Sequence, residues 1–192
     1  MDRKLWNQFK ERVLKLSGEV LYAVDKKEAG ELISRLISQY PDPVVGVAVS
    51  PLIEESEVVE FVKKSGGIVE QISGGEPVRE FKIGISEMDL GIAQTGSLVQ
   101  DATDFGKRLV SMLPEVHIAL IRGEKIVPCL QDALQHFYLQ GLPPGYIAFI
   151  SGPSRTADIE RVLTIGVHGP ERLVVIVLNE RGEGTKRGKK RI

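Results

Sequence analysis

The sequence has little cysteine and few histidines, and each scarcity excludes a class of site. Among its 192 residues there is one cysteine, Cys129. One thiol cannot form an internal disulfide, and by itself it cannot hold an iron–sulfur cluster or a thiolate zinc site, which need several sulfur ligands. The three histidines, His117, His136 and His168, are too widely spaced for a metal-binding motif. We therefore expect this chain to bind no metal or other cofactor itself.

Long apolar runs are also missing. No stretch approaches the ~18 apolar residues that a membrane-spanning helix needs. The first sixteen residues, MDRKLWNQFKERVLKL, carry charges throughout and contain no apolar segment of the kind found in signal peptides. These features predict a cytoplasmic protein without a membrane partner.

The charge is unevenly distributed along the chain. The whole sequence has a formal net charge of −1, whereas residues 181–192 carry +5, which leaves −6 on residues 1–180. The acidic residues 1–180 disfavour nucleic acid as a partner, because electrostatic binding to nucleic acid depends on many cationic side chains that replace the counterions of the phosphates. The basic, glycine-containing end predicts a flexible, solvated tail over 181–192.

Alternating helix and strand patterns predict an α/β protein. An amphipathic helix is expected over 1–17, and a second helix is expected to begin at Asp25, whose carboxylate can cap it while Glu28 reaches back. Apolar strands at 44–49, 68–72, 116–121, 146–150 and 173–178 alternate with helices at 53–65, 106–113, 128–139 and 156–165. This rhythm predicts a three-layer sandwich around a mostly parallel sheet, forming one domain over residues 1–180.

A β-hairpin interrupts this alternation. DLGIA (89–93) and SLVQ (97–100) flank Gln94, Thr95 and Gly96, and strands so close in sequence must run antiparallel. Gly96 can adopt the positive φ angle of the turn and lets the backbone approach a ligand closely, so we consider Gln94, Thr95 and Gly96 candidate ligand-binding residues. A plain glycine turn is the alternative.

The stretch SGPSRTADIE (151–160) is a second candidate site. If a helix begins at Thr156, its free amides and positive dipole end attract an anion, to which Ser154 can donate and Arg155 can donate twice. The turn also contains Gly152, and it follows the strand 146–150, where parallel sheets place their ligands. In the alternative, Thr156 caps the helix, Asp158 offsets its dipole and Arg155 pairs with a neighbouring acid.

Single residues offer further options. His168 lies beside Gly169 on a loop and is a candidate general acid or base, with an orienting or surface role as its alternative. His117, inside the strand 116–121, is expected to be packed or hydrogen-bonded, and His136 to be solvated. Cys129, next to Pro128 at a helix start, could carry an activated thiolate or be inert and buried.

Longer motifs point to a family. The chain resembles the LUD-domain family, of the lactate utilization protein C type, in four segments that keep the family's order and spacing. The segments are AQTGSLV (93–99), LPEVHIALI (113–121), IVPCLQDAL (126–134) and ISGPSRTADIERVLTIGVHGPERLVVIVL (150–178). The resemblance implies a fold of the NagB/RpiA/CoA-transferase-like type and a role in oxidising L-lactate to pyruvate. It also implies partner subunits that carry the iron–sulfur clusters.

One departure from the family pattern bears on the chemistry. Family members usually have glutamate in an AETGT motif, and this chain has Gln94. Glutamine cannot act as a carboxylate nucleophile or general base, although it can hydrogen-bond a ligand. The resemblance, together with the anion-binding pattern of SGPSRTADIE, favours a non-redox subunit that binds an organic anion. A free-standing CoA-transferase-like or sugar-phosphate enzyme and a non-catalytic anion-binding module are the alternatives, and the oligomeric state is left open.

Overall fold

The computed structural model describes residues 2–74, 79–140, 144–153, 155–157, 163–165 and 169–179, with the backbone alone at 155–157 and 163–165. Its main element is a six-stranded sheet in the order β1-β12-β7-β4-β2-β3, and every neighbouring pair runs parallel. The strands are β1 (Glu19–Ala23), β2 (Val44–Ala48), β3 (Ile68–Ile72), β4 (Ile83–Glu87), β7 (Val116–Arg122) and β12 (Arg172–Leu178).

Helices and a second sheet cover the two faces of this sheet. The helices are α1 (Arg3–Lys15), α2 (Lys26–Ile37), α3 (Pro51–Glu55), α4 (Val58–Lys64), α5 (Phe105–Met112) and α6 (Leu130–Leu139). Helices α2, α3 and α4 bury one face through a cluster that includes Ile33, Leu52, Val62 and Ile118, all nearly inaccessible to solvent. The expected α/β architecture with a mostly parallel sheet is confirmed.

The opposite face carries a second, four-stranded sheet in the order β8-β5-β6-β9. Its strands are β5 (Leu90–Ile92), β6 (Ser97–Asp101), β8 (Ile126–Val127) and β9 (Ile147–Ile150). Together with α1 it packs on the main sheet through a core that includes Phe9, Val13, Leu98 and Val175. Helix α6 covers the outer face of the second sheet, where Phe137 and Ala133 pack on Leu90 and Val99.

Local signals placed most elements correctly. The Asp25 carboxylate caps α2 by accepting from the Glu28 amide at 2.8 Å, and the Glu28 carboxylate accepts from the Val24 amide at 2.8 Å. The hairpin at 89–100 is confirmed as the antiparallel pair β5–β6, with Gly96 at a φ of +74°. The helix expected over 53–65 is instead divided into α3 and α4, because Glu57 adopts a left-handed conformation with φ +48°.

Two predictions about the later chain were wrong. The strand at 146–150 is β9, which pairs antiparallel with β6 in the second sheet and does not belong to the parallel sheet. The helix expected over 156–165 is contradicted by β10 (Arg155–Ala157) and β11 (Leu163–Ile165), which pair antiparallel. The β-branched residues Thr156, Thr164 and Ile165 favour extended backbone over helix, a preference that the capping pattern had obscured.

Two strands of the main sheet were not predicted. EVLYA forms the edge strand β1, and IGISE forms β4 near the centre of the sheet. In the part of the chain that the structure describes, no helix is long and apolar enough to cross a membrane. The flexible tail predicted over 181–192 lies outside the described residues.

Candidate functional site

The turn of the β5–β6 hairpin forms the first part of the site. The side chains of Gln94 and Thr95 are exposed, whereas Gly96 and Ser97 are buried. A Cβ on Gly96 would lie 2.7 Å from backbone atoms of Arg12 and Val13, so only glycine fits here. The turn is therefore pressed against α1 and presents two polar side chains outward from a fixed position.

The turn that follows β9 lies beside the hairpin. The Ser97 and Ser151 hydroxyls are 2.8 Å apart and form a hydrogen bond. Gly152, with φ +93°, approaches α1 so closely that a Cβ there would lie 2.6 Å from the Leu16 carbonyl oxygen. Two segments that are more than fifty residues apart in sequence, and that were predicted separately as sites, thus meet against the end of α1.

The start of α6 supplies the third part. The backbone N–H of Gln94 donates to the Pro128 carbonyl at 3.0 Å, which joins the hairpin turn to the residue before Cys129. An open cleft of about 830 Å³ lies at this junction. It is lined by uncharged residues, namely Gln94, Cys129, Leu130, Gln131, Leu134, Gln135 and Tyr138. The cleft offers amide donors and acceptors beside an apolar wall.

Cys129 caps α6 and is already engaged. Its thiol donates to the Asp132 carboxylate at 3.0 Å, and its backbone N–H donates to the same oxygen at 3.1 Å. The Asp132 carboxylate thereby offsets the positive end of the helix dipole. Cys129 is half-buried and lines the cleft. The sequence left open an activated or an inert, buried thiol, and the structure shows that this thiol takes part in capping α6.

The remaining predicted residues are placed only in part. Arg155 and Thr156 lie in β10, where the backbone pairs with β11. Ser154 and His168 lie outside the described residues, so their proposed roles stay predictions. Because Thr156 is in a strand, no helix begins there, and the expected helix amides and helix dipole cannot attract an anion at this position.

A buried serine–histidine pair lies elsewhere, in the main sheet. Nε2 of His117 and the Ser86 hydroxyl are 2.8 Å apart, and both residues are 0% exposed. Burial lowers the pKa of His117 to about 4, so its ring is neutral near pH 7. The expectation that His117 is hydrogen-bonded within the sheet is confirmed. Because the pair has no contact with solvent, it does not act as a nucleophile and base on a substrate.

Two acidic residues beyond β4 were missed by sequence reasoning. Glu87 ends β4, and its carboxylate accepts from the Leu52 amide at the start of α3, at 3.0 Å. Burial is the main reason that the pKa of Asp89 is raised, although its carboxylate accepts from the Asp101 amide at 2.6 Å. Their position at the end of a strand could not be recognised, because strand β4 itself was not predicted. Each carboxylate holds a backbone amide: Glu87 fixes the start of α3 against the end of β4, and Asp89 fixes the end of β6 beside the start of β5.

The described residues contain no metal-binding constellation. Across the ranges given above, no group of three or more histidine, cysteine, aspartate or glutamate residues is arranged to hold a metal ion. The chemistry that these residues offer near the cleft is hydrogen bonding by neutral groups.

A match with a known family identifies the class of protein. The sequence profile of the LUD domain matches residues 6–178, which is nearly the whole chain. The chain therefore belongs to the LUD domain family.

Individual relatives are consistent with this assignment. A protein named lactate utilization protein C from Halalkalibacterium halodurans is 30% identical over 187 residues, which covers 93% of this chain and 80% of that protein. The protein of the same name from Geobacillus sp. is 39% identical over 103 residues, covering 52% of this chain and 43% of that protein. The match with the Geobacillus protein thus spans less than half of its length.

A solved structure shares the fold. The 1.70 Å crystal structure of a DUF162 family protein from Deinococcus radiodurans superposes with a TM-score of 0.62. The match covers 93% of this chain and 99% of that chain, at 20% sequence identity. At this level of identity the likeness concerns the architecture alone.

Proposed function

We propose that this protein is a non-redox subunit of an assembly that oxidises L-lactate to pyruvate, and that it binds an organic anion beside the β5–β6 turn. The observation that carries the proposal is the similarity, over 93% of the chain, to a protein named lactate utilization protein C. The electrons released when lactate is oxidised need an acceptor. This chain has one cysteine, which is too few to hold an iron–sulfur cluster by itself. Iron–sulfur clusters on partner subunits are the acceptors in this proposal.

The local geometry supports binding better than covalent catalysis. The cleft presents the side-chain amide of Gln94, which can donate to a carboxylate, and its described lining has no carboxylate to repel an anion. Thr95 and Ser151 bring exposed hydroxyl groups to the same end of the sheet. In the proposal the cation comes from Arg155, at the start of β10, two residues beyond the Gly152–Pro153 turn.

Deletion of the gene in its own host tests the role in lactate oxidation. We expect loss of growth on L-lactate with normal growth on pyruvate, and loss of lactate-dependent dye reduction in extracts. A tagged copy should restore both and should co-purify with iron-containing proteins. Lactate oxidation that continues unchanged without this chain would refute the proposal.

Site variants test where the anion binds. Removing the Gln94 side-chain amide with Gln94→Ala should lower lactate-dependent dye reduction roughly 10- to 100-fold, since a hydrogen bond to a charged group is worth about 1.5–3 kcal/mol. Gln71→Ala is the matched control, because Gln71 is also an exposed glutamine but lies on β3, an edge strand of the main sheet, outside the second sheet that carries the hairpin turn. Equal activity of the two variants would move the binding site away from the hairpin turn.

The CoA-transferase-like alternative makes a different prediction at the same residue. That chemistry needs a carboxylate nucleophile where this chain has Gln94. If the alternative held, Gln94→Glu would create or raise CoA transfer between acyl-CoA and a free carboxylate, measured on the purified protein. We expect no transfer by either the wild type or the variant.

A further inference from the structure

Helix α6 exposes an apolar stripe on the outer face of the second sheet. Leu130, Leu134 and Tyr138 recur every four residues, so they lie on one side of the helix. They are 45%, 47% and 76% exposed, and the adjacent Leu139 is 72% exposed. Four large apolar side chains exposed on a helix of ten residues are far more than scattered surface apolar residues would give.

The same face carries no charge. Between its apolar residues α6 fully exposes Gln131 and Gln135. Its one acid, Asp132, is bound to the Cys129 cap, and its partly exposed His136 bonds to the Gln140 side chain. The sequence as a whole has 27% charged residues. Depletion of charge combined with leucine and tyrosine is typical of the core of a protein interface.

Strand β9 extends this surface. Phe149 lies opposite Val99 in the β6–β9 pair, and Val99 is packed beneath α6. The side chains of directly opposed residues point to the same face of a sheet, so Phe149 flanks α6 on the outer face. It is 46% exposed. The apolar surface therefore consists of the α6 stripe together with Phe149, and we refer to it as the α6 face.

We propose that the α6 face binds the α6 face of a second copy of this chain, with the two α6 helices antiparallel across a two-fold axis near Leu134. In a two-fold interface each patch meets itself, so a charged face would place like charges together, whereas an uncharged face is self-complementary. Residues 1–180 carry a net charge of −6. Two such bodies repel each other, and contact is favoured where neither presents a charge.

The size of the face sets the strength of the dimer. A ten-residue helix is about 15 Å long, which gives a contact smaller than the ~800 Å² per partner of a standard stable interface. The dimer should therefore depend on concentration and dissociate on dilution.

The arrangement also changes the cleft. Leu130, Leu134 and Tyr138 line the cleft and also belong to the α6 face, so the second copy would pack over the cleft itself. In antiparallel packing Leu130 of one copy lies near Tyr138 of the other copy. Tyr138 of the second copy would thus cover the cleft and remove water from it. This inference rests on the α6 face alone and holds whether or not the protein acts on lactate.

Sedimentation velocity over a range of concentrations tests the proposal. We expect a monomer–dimer equilibrium in the wild type, weakened at least ~10-fold in Leu134→Glu, since the change places each new carboxylate beside its symmetry mate. Met112→Glu is the matched control, because Met112 is 59% exposed at the end of α5, away from this face. Circular dichroism should show that both variants are folded.

Cross-linking tests the geometry of the contact. With Cys129→Ser, which keeps a good helix cap, Leu134→Cys leaves one thiol near the two-fold axis. Under mild oxidation this variant should form a covalent dimer, and Met112→Cys in the same background should not.

The outcomes separate the alternatives. A wild type that remains monomeric at all concentrations, or a dimer unaffected by Leu134→Glu, overturns the proposal. A monomer that loses a co-purifying iron protein on Leu134→Glu also overturns it and assigns the α6 face to a different subunit.

Discussion

At the scale of single residues, burial decides what a polar group can do. The Ser86–His117 pair has the residue types of a nucleophile and its base, with a distance of 2.8 Å, yet neither residue contacts solvent. Nδ1 of His117 is buried, and no protein group of the described chain bonds to it. The pair therefore contributes to folding, and its chemistry appears in the dependence of stability on pH.

We predict that His117 makes the protein less stable as the pH falls below 6.5. Burial lowers the pKa of the folded state to about 4 from a usual value of 6.5, so the stabilisation is complete above pH 6.5. It is lost as the pH falls towards 4, because only the unfolded chain takes up the proton. When the pH is lowered from 7 to 4.5, the free energy of unfolding should fall in both proteins. The fall should be about 2–3 kcal/mol smaller in His117→Gln than in the wild type.

Urea unfolding at several pH values measures this difference. His136→Gln is the control, because His136 is partly exposed and bonds to the Gln140 side chain on the surface of α6. Its pH dependence should match that of the wild type. The same slope in all three proteins would show that His117 is not the group responsible.

At the scale of elements, the β5–β6 hairpin and α1 fit together only because Gly96 lacks a side chain. Gly96 has φ +74°, and a Cβ there would lie 2.7 Å from backbone atoms of Arg12 and Val13. A helix backbone cannot move aside as a flexible side chain can. The orientation of Gln94 and Thr95 thus depends on this contact.

Gly96→Ala should lower the free energy of unfolding by roughly 2–4 kcal/mol, through backbone strain together with overpacking. Gly66→Ala isolates the strain, since Gly66 has φ +81° and no atom within 4 Å of its Cβ position. This control should cost about 1 kcal/mol. Chemical denaturation compares the two variants, and equal losses would mean that α1 does not press on the hairpin.

Segment 155–165 shows how an element can be mispredicted. Thr156 followed by Asp158 and Glu160 has the pattern of a helix start, and that pattern predicted a helix. The structure pairs Arg155–Ala157 with Leu163–Ile165 as antiparallel strands. A capping pattern states only that an acid can lie near a free backbone amide, and it does not decide whether the residues around it form a helix or a strand.

At the scale of the whole molecule, α1 and the second sheet are joined to the main sheet by one apolar core. Phe9 and Val13 of α1, Leu98 of β6 and Val175 of β12 belong to the same buried cluster. Trp6, the single tryptophan, packs against this cluster and lies 5.7 Å from the Tyr22 ring. Neither α1 nor the second sheet can separate from the main sheet without exposing this core.

We therefore predict a single unfolding transition. Trp6 fluorescence, which reports on α1, should give the same urea midpoint as far-UV circular dichroism, which reports on all layers. Leu98→Ala should shift both midpoints together and lower stability by about 2–5 kcal/mol. Leu113→Ala should have little effect, since Leu113 is 60% exposed. Separate midpoints for the two probes would show that α1 and the second sheet unfold independently.

The sequence by itself determined the elements whose signals are local. The Asp25 cap, the apolar runs of β2, β7 and β12, and the glycine turn of the hairpin depend on backbone sterics and on hydrophobic periodicity within a few residues. The same local patterns, extended over residues 93–178, were enough to recognise the family.

Only the tertiary structure decided which elements meet. Nothing within residues 146–150 specifies whether that strand joins the parallel sheet or pairs with β6, because an apolar strand fits both and the choice depends on distant residues. The meeting of Ser97 with Ser151, the burial of His117 and the exposure of the α6 face have the same origin. Each depends on packing between segments far apart in the chain, which local patterns do not encode.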